Sequence, residues 1–280
     1  TRTSLRAQID RAEFGGRDFE GIELDAELDS QRLSGRISDR DEALRLLLSV
    51  SGTLTEREQR IGLSGSVFGF DLAALGVSPE PIGGSFALDA SASAAGEGAY
   101  AARIALDSIE IRNKHRTDRI RPTSVSLHTD SAATRAEAAS GDLSLTFSTP
   151  QSADSLIAAL TRSARALAGQ IDAQSIDMEQ LKPALPDFAL RVSAGPDNIL
   201  NSLLKSRKIA FDALNAEGAN CDSLPVSIRL RTEGLAYGNV VLDTVTADIR
   251  QNGKRLEYAL GLANAPGNLD NIARAGLYGH

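Results

Sequence analysis

Polar and apolar residues alternate along much of this chain, and the alternation returns in segment after segment. Between Leu44 and Leu54 the even positions are apolar, apart from Gly52, and the odd positions are polar, apart from Leu47. Side chains of a β-strand point to opposite faces with period two, so this segment places leucine and valine on one side of a sheet. The same rhythm recurs in four further segments: Ile22/Leu24/Ala26/Leu28, Leu143/Leu145/Phe147, Leu224/Val226/Ile228/Leu230 and Leu256/Tyr258/Leu260/Leu262. The pattern predicts a mainly β protein whose apolar faces must be shielded from water.

The chain divides into three predicted segments: a β-groove segment 1–149, a helical insert with a short strand at 150–207, and a continuing β segment 208–280. The first segment is typical of a β-meander, with glycine and proline clusters between several strands. Its candidate strands cover 4–13, 20–29, 32–38, 43–55, 59–70, 84–94, 99–112, 122–130, 132–139 and 141–149. The apolar parity changes at Asp107-Ser108, which predicts a β-bulge that keeps Ile104 and Ile111 on one face.

The helical insert is predicted from a change of period after residue 150. Ser152 is a good N-cap, and apolar residues then follow at steps of three and four. This stripe consists of Leu156, Leu160, Ala164, Leu167 and Ile171. Two shorter helices are predicted, one around Met178–Lys182 and one that begins at Pro196. The stripe either packs on the sheet as ordinary core or covers an open apolar groove, and the sequence leaves both readings open.

Composition narrows the function classes. The net charge of −7 argues against nucleic-acid binding, which needs clustered Lys and Arg. Apolar residues at 42% are enough for a core, while aromatic residues at 4% make any apolar surface mainly aliphatic. No run of about 18 consecutive apolar residues is present, so no transmembrane helix is predicted. We expect the chain to be an internal piece of a longer protein, with any signal or anchor outside it.

A catalytic or metal site finds little support in the sequence. The three histidines, His115, His128 and His280, stand apart, without an HExxH motif or paired Cys/His spacing. Acidic residues such as Glu23 and Asp25 alternate with apolar ones, which places them on a solvent-exposed face. We therefore expect no enzymatic activity, no metal and no cofactor.

Three glycines occur in a strand-like segment. A phosphate-binding loop lies between the end of a strand and the start of a helix, whereas Gly62, Gly65 and Gly69 lie within a single strand-like segment. Bends or a close backbone approach within the sheet explain them better.

A local cluster of basic residues is unusual in this acidic chain. It lies between residues 112 and 121 and contains a single acid, Asp118. Its members are Arg112, Lys114, Arg116, Arg119 and Arg121. The cluster is either a solvated hairpin tip or a contact for anionic lipid headgroups, to which each basic residue contributes about 1 kcal/mol.

The long meander of aliphatic, alternating strands resembles the TamB-type proteins of the AsmA-like group. The segments that carry the resemblance are Leu44–Leu54, Ser140–Phe147 and Leu224–Leu230. The resemblance implies an inner-membrane-anchored protein that reaches across the periplasm with a long curled sheet, taco-like in section, around an apolar groove. It also implies phospholipid transport between the inner and outer membranes, or outer-membrane protein assembly with a BamA-like barrel partner.

The predicted function is therefore to shelter phospholipid in a groove. A sixteen-carbon acyl chain needs about 12 kcal/mol of shelter from water, which an aliphatic wall supplies. The candidate groove residues are Leu44, Leu46, Leu48, Val50, Leu54, Leu143, Leu145, Phe147, Val226 and Ile228. The alternative is a structural or adhesive β module whose apolar stripes form a closed core. A carbohydrate-acting β-helix enzyme is a distant third, because it would need clustered inward carboxylates that the alternation does not indicate.

Overall fold

The computed structural model describes residues 2–9, 12–14, 17–19, 21–96, 98–114, 116–172, 177–221, 224–264 and 274–279. The chain is mainly β, as the alternation predicts, with antiparallel pairing and short helices. It divides into unit 1, Thr1–Leu127, and unit 2, His128–His280. The described helices all lie in unit 2, between residues 153 and 206. Their positions agree with the predicted insert, whereas the predicted curl of the sheet stays a prediction.

Unit 1 is an antiparallel meander. Its strands are β1 (Arg2–Ile9), β2 (Ala12–Phe14), β3 (Arg17–Phe19), β4 (Ile22–Asp29), β5 (Arg32–Asp41), β6 (Leu44–Leu54), β7 (Glu58–Asp71), β8 (Gly83–Ala95), β9 (Ala99–Arg112), β10 (Thr117–Ile120) and β11 (Thr123–Thr129), the last of which crosses the unit boundary. The strands pair in the order β1–β4–β5–β6–β7–β8–β9–β10. Strands β2 and β3 form a separate hairpin.

Unit 2 continues the same meander principle and adds the helices. Its elements are β12 (Thr134–Ser140), β13 (Leu143–Thr149), α1 (Ala153–Asp172), α2 (Met178–Leu181), a 3-10 helix (Lys182–Ala184), β14 (Phe188–Ala194), α3 (Ile199–Ser206), β15 (Ile209–Ala210), β16 (Ala213–Cys221), β17 (Leu224–Tyr237), β18 (Val240–Asn252), β19 (Arg255–Ala263) and β20 (Arg274–Gly279). The strands pair in the order β12–β13–β14–β16–β17–β18–β19–β20, and the short β15 pairs with β17.

Short turns produce this order, because strands joined by two residues have to pair with each other. Gly238 connects β17 to β18 with φ of 59°, and Gly253 connects β18 to β19 with φ of 60°. The left-handed region is accessible to glycine without a steric penalty. Strands joined by such short turns are therefore neighbours in the sheet, whereas β1 pairs with β4 and β14 pairs with β16.

The predicted β-bulge is confirmed. Ala87 pairs with Asp107, whereas Ser85, two residues earlier, pairs with Glu110, three residues later. The extra residue is Ser108, which has φ of 52°. The bulge restores the parity, so that Ile104 and Ile111 lie on the same face of β9.

The first helix corrects one expectation. Ser152 caps α1 by accepting a hydrogen bond from the Ser155 N–H at 3.3 Å, as predicted. The leucine stripe, however, does not form the packed side: Leu160 is 51% exposed and Leu167 is 40% exposed. The buried side of α1 consists instead of Ala159 and Ser163, with Ala166 against the core.

The third helix begins later than predicted. Its N-cap is Asn198, which accepts a hydrogen bond from the Asn201 N–H at 2.9 Å, so Pro196 lies outside the helix. Asn198 is held in place by the Asp142 carboxylate at 2.6 Å. A tertiary contact with the β12–β13 turn therefore sets the start of α3.

A small core joins the helices to the sheet of unit 2. Met178 and Leu181 of α2 pack on Val226 of β17, and all three are nearly inaccessible to solvent. Ala166, Leu185 and Leu256 surround this cluster. The insert consequently covers part of the sheet around Val226.

Candidate functional site

The register of unit 1 places its apolar residues on one face. Two cross-strand rows demonstrate this: Leu24–Ile37–Leu48–Gly65–Leu88–Leu106 and Ala26–Gly35–Val50–Leu63–Ala90–Ile104. We call the surface that these rows form the unit 1 apolar face. The predicted groove residues of β6 all lie on it: Leu44, Leu46, Leu48, Val50 and Leu54.

Much of the unit 1 apolar face is open to solvent. Ile61 is 44% exposed and Ile104 is 48% exposed, although both are aliphatic. Leu48 and Val67 are buried, while Leu46 and Val50 are half-buried. Contiguous apolar surface of this kind usually marks a site of interaction with lipid or another partner.

Unit 2 has a corresponding surface. Its two central rows are Leu145–Val192–Ala216–Leu230–Ala247–Leu260–Leu277 and Phe147–Leu190–Gly218–Ile228–Ile249–Tyr258–Gly279. We call this surface the unit 2 apolar face. Each row crosses seven strands, which is about 29 Å at the usual strand spacing. The rows are long enough to hold an extended acyl chain.

The predicted residues of unit 2 come together on this face. Phe147 and Ile228 lie in one row, four strands apart in sequence order but on the same side of the sheet. Ile228 is 42% exposed, and Leu143, Leu145 and Phe147 are half-buried. Val226 also faces this side, but the α2 core covers it, so it lies beneath the insert and not on the open part.

Sequence reasoning omitted several members of the unit 2 apolar face. Leu190, Ile249 and Leu260 lie in the same rows as the predicted residues, and Phe188 stacks near Phe147 with ring centroids 6.4 Å apart. The signal was present, because these strands show the same alternation. Only the register shows that the stripes of neighbouring strands are adjacent.

The opposite face of both units carries charge. In unit 2, Arg191 contacts Glu217 at 3.2 Å, and Arg229 contacts Asp248 at 3.5 Å. In unit 1, Asp25 contacts Arg6 at 2.7 Å, which confirms its predicted place on the solvent-exposed face. Exposed pairs of this kind contribute little to stability, about 0–1 kcal/mol each. Each unit therefore has one charged face, which is exposed to solvent, and one apolar face.

The basic cluster lies at the β9–β10 hairpin of unit 1. Arg112 lies 3.6 Å from Glu110, and Arg116 lies 2.7 Å from Asp118. Lys114 and Arg119 are exposed, and Arg121 follows the end of β10. The nearby acids therefore offset part of the positive charge that the sequence indicates.

A hydrogen-bonded cluster fixes α3 against the sheet of unit 2. The Asp142 carboxylate accepts hydrogen bonds from the Asn198 side chain at 2.6 Å and from the Asp197 N–H at 2.9 Å. Desolvation acts to raise the pKa of Asp142, but hydrogen bonds from Asn198, Asp197 and Gly195 outweigh it and hold that pKa below its ordinary value. Asp142 is thus a structural residue of the α3 attachment.

This lowered pKa predicts acid sensitivity. A carboxylate with a depressed folded-state pKa stabilises the native state above its unfolded pKa, about 3.9, and that stabilisation is lost as the pH falls through the folded value. We expect α3 and the β12–β13 turn to exchange amide hydrogens faster below about pH 4. Hydrogen exchange with mass spectrometry measures this effect. Asp142→Asn should weaken the attachment at neutral pH and reduce its pH dependence, whereas Glu137→Gln on the exposed face should leave the dependence unchanged.

The described residues contain no group of three or more His, Cys, Asp or Glu side chains placed to hold a metal ion. His128 lies in β11, whereas His115 and His280 are outside the described residues. None of the helices in the described part of the chain is long and apolar enough to cross a bilayer.

Comparison of the chain with models of protein families, with curated protein sequences and with solved structures gave no match. The apolar faces are therefore the features of the molecule that indicate a function.

Proposed function

We propose that the two apolar faces bind the acyl chains of phospholipids, as part of a TamB-like protein that carries phospholipid between membranes. The observation that supports this most is the exposure of aliphatic residues on the apolar faces, such as Ile104 in unit 1 and Ile228, which lies in the middle of its row in unit 2. In an ordinary core these positions would be covered, because exposed aliphatic surface is unfavourable in water.

The chemistry of the faces suits an acyl chain. Their side chains are mainly Leu, Ile, Val and Ala, which offer no polar group that would hold a lipid at one point. Each CH₂ group removed from water contributes about 0.8 kcal/mol, so a chain of sixteen carbons gains up to roughly 12 kcal/mol when the face shelters it completely. The exposed cations Lys114 and Arg119 are proposed contacts for anionic headgroups, together with Arg112, Arg116 and Arg121 of the same hairpin.

The localisation and the protein partner are part of the same proposal. A periplasmic segment of an inner-membrane-anchored protein would carry lipid across the aqueous gap, with or without assembly of outer-membrane proteins beside a BamA-like barrel. The resemblance stated above is the support for these two points.

Site-specific photo-crosslinking tests the proposal, with matched controls on the same strands. A diazirine amino acid at Leu46 or Leu145 is expected to yield phospholipid adducts in cells, detected by mass spectrometry. The same probe at Ser49 or Thr146, on the opposite faces of β6 and β13, is expected to yield none. Equal yields on both faces, or no lipid adduct from any apolar position, would contradict the proposal. The second outcome would favour a structural or adhesive module instead.

A further inference from the structure

A cleft lies in unit 2 at the end of the apolar face, beside α2 and the 3-10 helix. Its volume is about 660 Å³, within the range of small-ligand sites. Its wall includes Met178 and Leu185, which belong to or contact the Val226 core, so the cleft adjoins apolar surface. The polar side chains that line it are Gln151, Glu179, Lys182, Asp187, Asn220, Gln251 and Lys254.

The apolar face becomes partly polar where it meets this cleft. Thr149, Asn220 and Gln251 each lie two residues beyond a member of the Phe147 row, on β13, β16 and β18. The row beside the Phe147 row is therefore mixed: it contains one hydroxyl and two amides together with the apolar side chains of Phe188, Val226 and Leu256. A lipid whose acyl chains lie on the apolar face parallel to the strands would bring its headgroup to this row.

Buried acceptor atoms indicate a missing donor at this end of the sheet. Asn220 is 2% exposed, and its amide nitrogen donates to the Pro186 carbonyl at 2.8 Å, which fixes the orientation of the amide. Its Oδ1 atom, the Oε1 atom of Gln151 and the Oγ1 atom of Thr149 have no hydrogen-bond partner among the described residues. Buried polar atoms are rarely left unpaired in native proteins, so each one calls for a partner, and the two amide oxygens call for a donor.

The charges around the cleft balance. Lys182 and Lys254 are the cations, and Glu179 and Asp187 are the anions. Lys254 Nζ lies 2.5 Å from Glu179 Oε2, and both side chains are mostly exposed at the mouth. A lining with two charges of each sign suits a zwitterion better than a net anion.

We propose that this cleft binds the phosphoethanolamine headgroup of a phospholipid, an inference that rests on the proposed function. Lys182 and Lys254 bind the phosphate, and the primary ammonium group donates to Asp187 and to the amide oxygens of Asn220 and Gln151. Phosphocholine lacks N–H donors and leaves these oxygens unpaired. Phosphoglycerol has hydroxyl donors but a net negative charge, which the two carboxylates disfavour.

Vesicles with equal parts of dioleoyl phosphatidylethanolamine, phosphatidylcholine and phosphatidylglycerol provide the test. The whole chain is incubated with them and repurified, and the bound lipids are quantified by mass spectrometry. The protein is expected to enrich phosphatidylethanolamine about threefold to tenfold, the effect of one or two additional hydrogen bonds. Asp187→Asn and Lys254→Gln should lower this enrichment without changing the total bound lipid. Lys205→Gln, on the exposed side of α3, should leave both quantities unchanged.

The outcomes separate this inference from the proposed function. Bound lipid without a headgroup preference overturns the phosphoethanolamine site and leaves acyl-chain binding intact. No bound lipid overturns both. Calorimetry with O-phosphoethanolamine alone forms a further arm: micromolar affinity for this soluble ester would identify a solute site and overturn the lipid assignment. Circular dichroism of Asp187→Asn establishes that the variant is folded, and the exposed Lys254→Gln variant repeats the test independently.

Discussion

Replacing Asn201 by leucine is expected to destabilise unit 2 by about 3–5 kcal/mol. Asn201 is fully buried, and its amide nitrogen donates to the Pro196 carbonyl at 3.1 Å and to the Phe211 carbonyl at 2.8 Å. Its amide oxygen accepts from the Phe211 N–H at 3.3 Å. Leucine has a similar size but leaves these backbone groups without partners, each at about 1–3 kcal/mol. Urea denaturation followed by far-UV circular dichroism measures the change.

The matched control is Asn215→Leu. Asn215 lies on the exposed face of β16, so its replacement should change the free energy of unfolding by less than about 0.5 kcal/mol. If Asn201→Leu changed the free energy of unfolding as little as this control, the hydrogen bonds of the buried Asn201 amide would not be responsible for attaching α3 to the segment before β16. Hydrogen exchange localises the effect, because α3 should lose protection before the strands of unit 1 do.

The strands could be predicted because alternation is a local signal. The candidate strand 43–55 corresponds to β6 (Leu44–Leu54), and 99–112 has the bounds of β9. Short hairpin turns then leave little choice of partner. The β2–β3 hairpin and the short β10 were not predicted, since strands of three or four residues carry too few alternating positions to be recognised.

The orientation of α1 could not be predicted from period alone. The spacing identifies residues that share a side of the helix, but α1 has two such sides next to each other, one with Leu160 and Leu167 and one with small residues. The small side is buried because Ser163 and its neighbours allow a close approach to the 3-10 helix. The Ser163 hydroxyl donates to the Ala184 carbonyl at 2.6 Å. This contact is tertiary and leaves no periodic signal in the sequence.

The apolar faces were predicted only strand by strand. Parity places Leu145 and Ile228 on one side of their own strands, but the shared row depends on the registers of β13, β14, β16 and β17. The cover over Val226 depends on α2, some 45 residues earlier in the chain. Both depend on long-range contacts. The sequence therefore predicts which residues belong to the face, but it does not predict which part of the face is open and which part is covered.

Gly65→Ala is expected to destabilise unit 1 by about 2–4 kcal/mol. Gly65 lies in β7 opposite Leu48, with φ of 154°. A Cβ atom at this position would clash with the Leu47 carbonyl oxygen and lie 2.9 Å from the Leu48 Cα. Both atoms belong to the backbone of β6, so relief requires the two strands to separate. Differential scanning calorimetry and urea denaturation measure the loss.

Gly62→Ala is the control on the same strand. The nearest atom to its added Cβ is the Ser51 hydroxyl oxygen at 3.2 Å, a side-chain atom that can rotate away. Alanine is also favoured over glycine within a strand, so the change should be within about 0.5 kcal/mol of zero. Equal effects at both positions would show that the backbone approach at Gly65 does not hold β6 against β7. If Gly65→Ala separates β6 from β7 as expected, it should also expose Leu48 and so enlarge the unit 1 apolar face. Increased binding of a hydrophobic dye would detect this exposure.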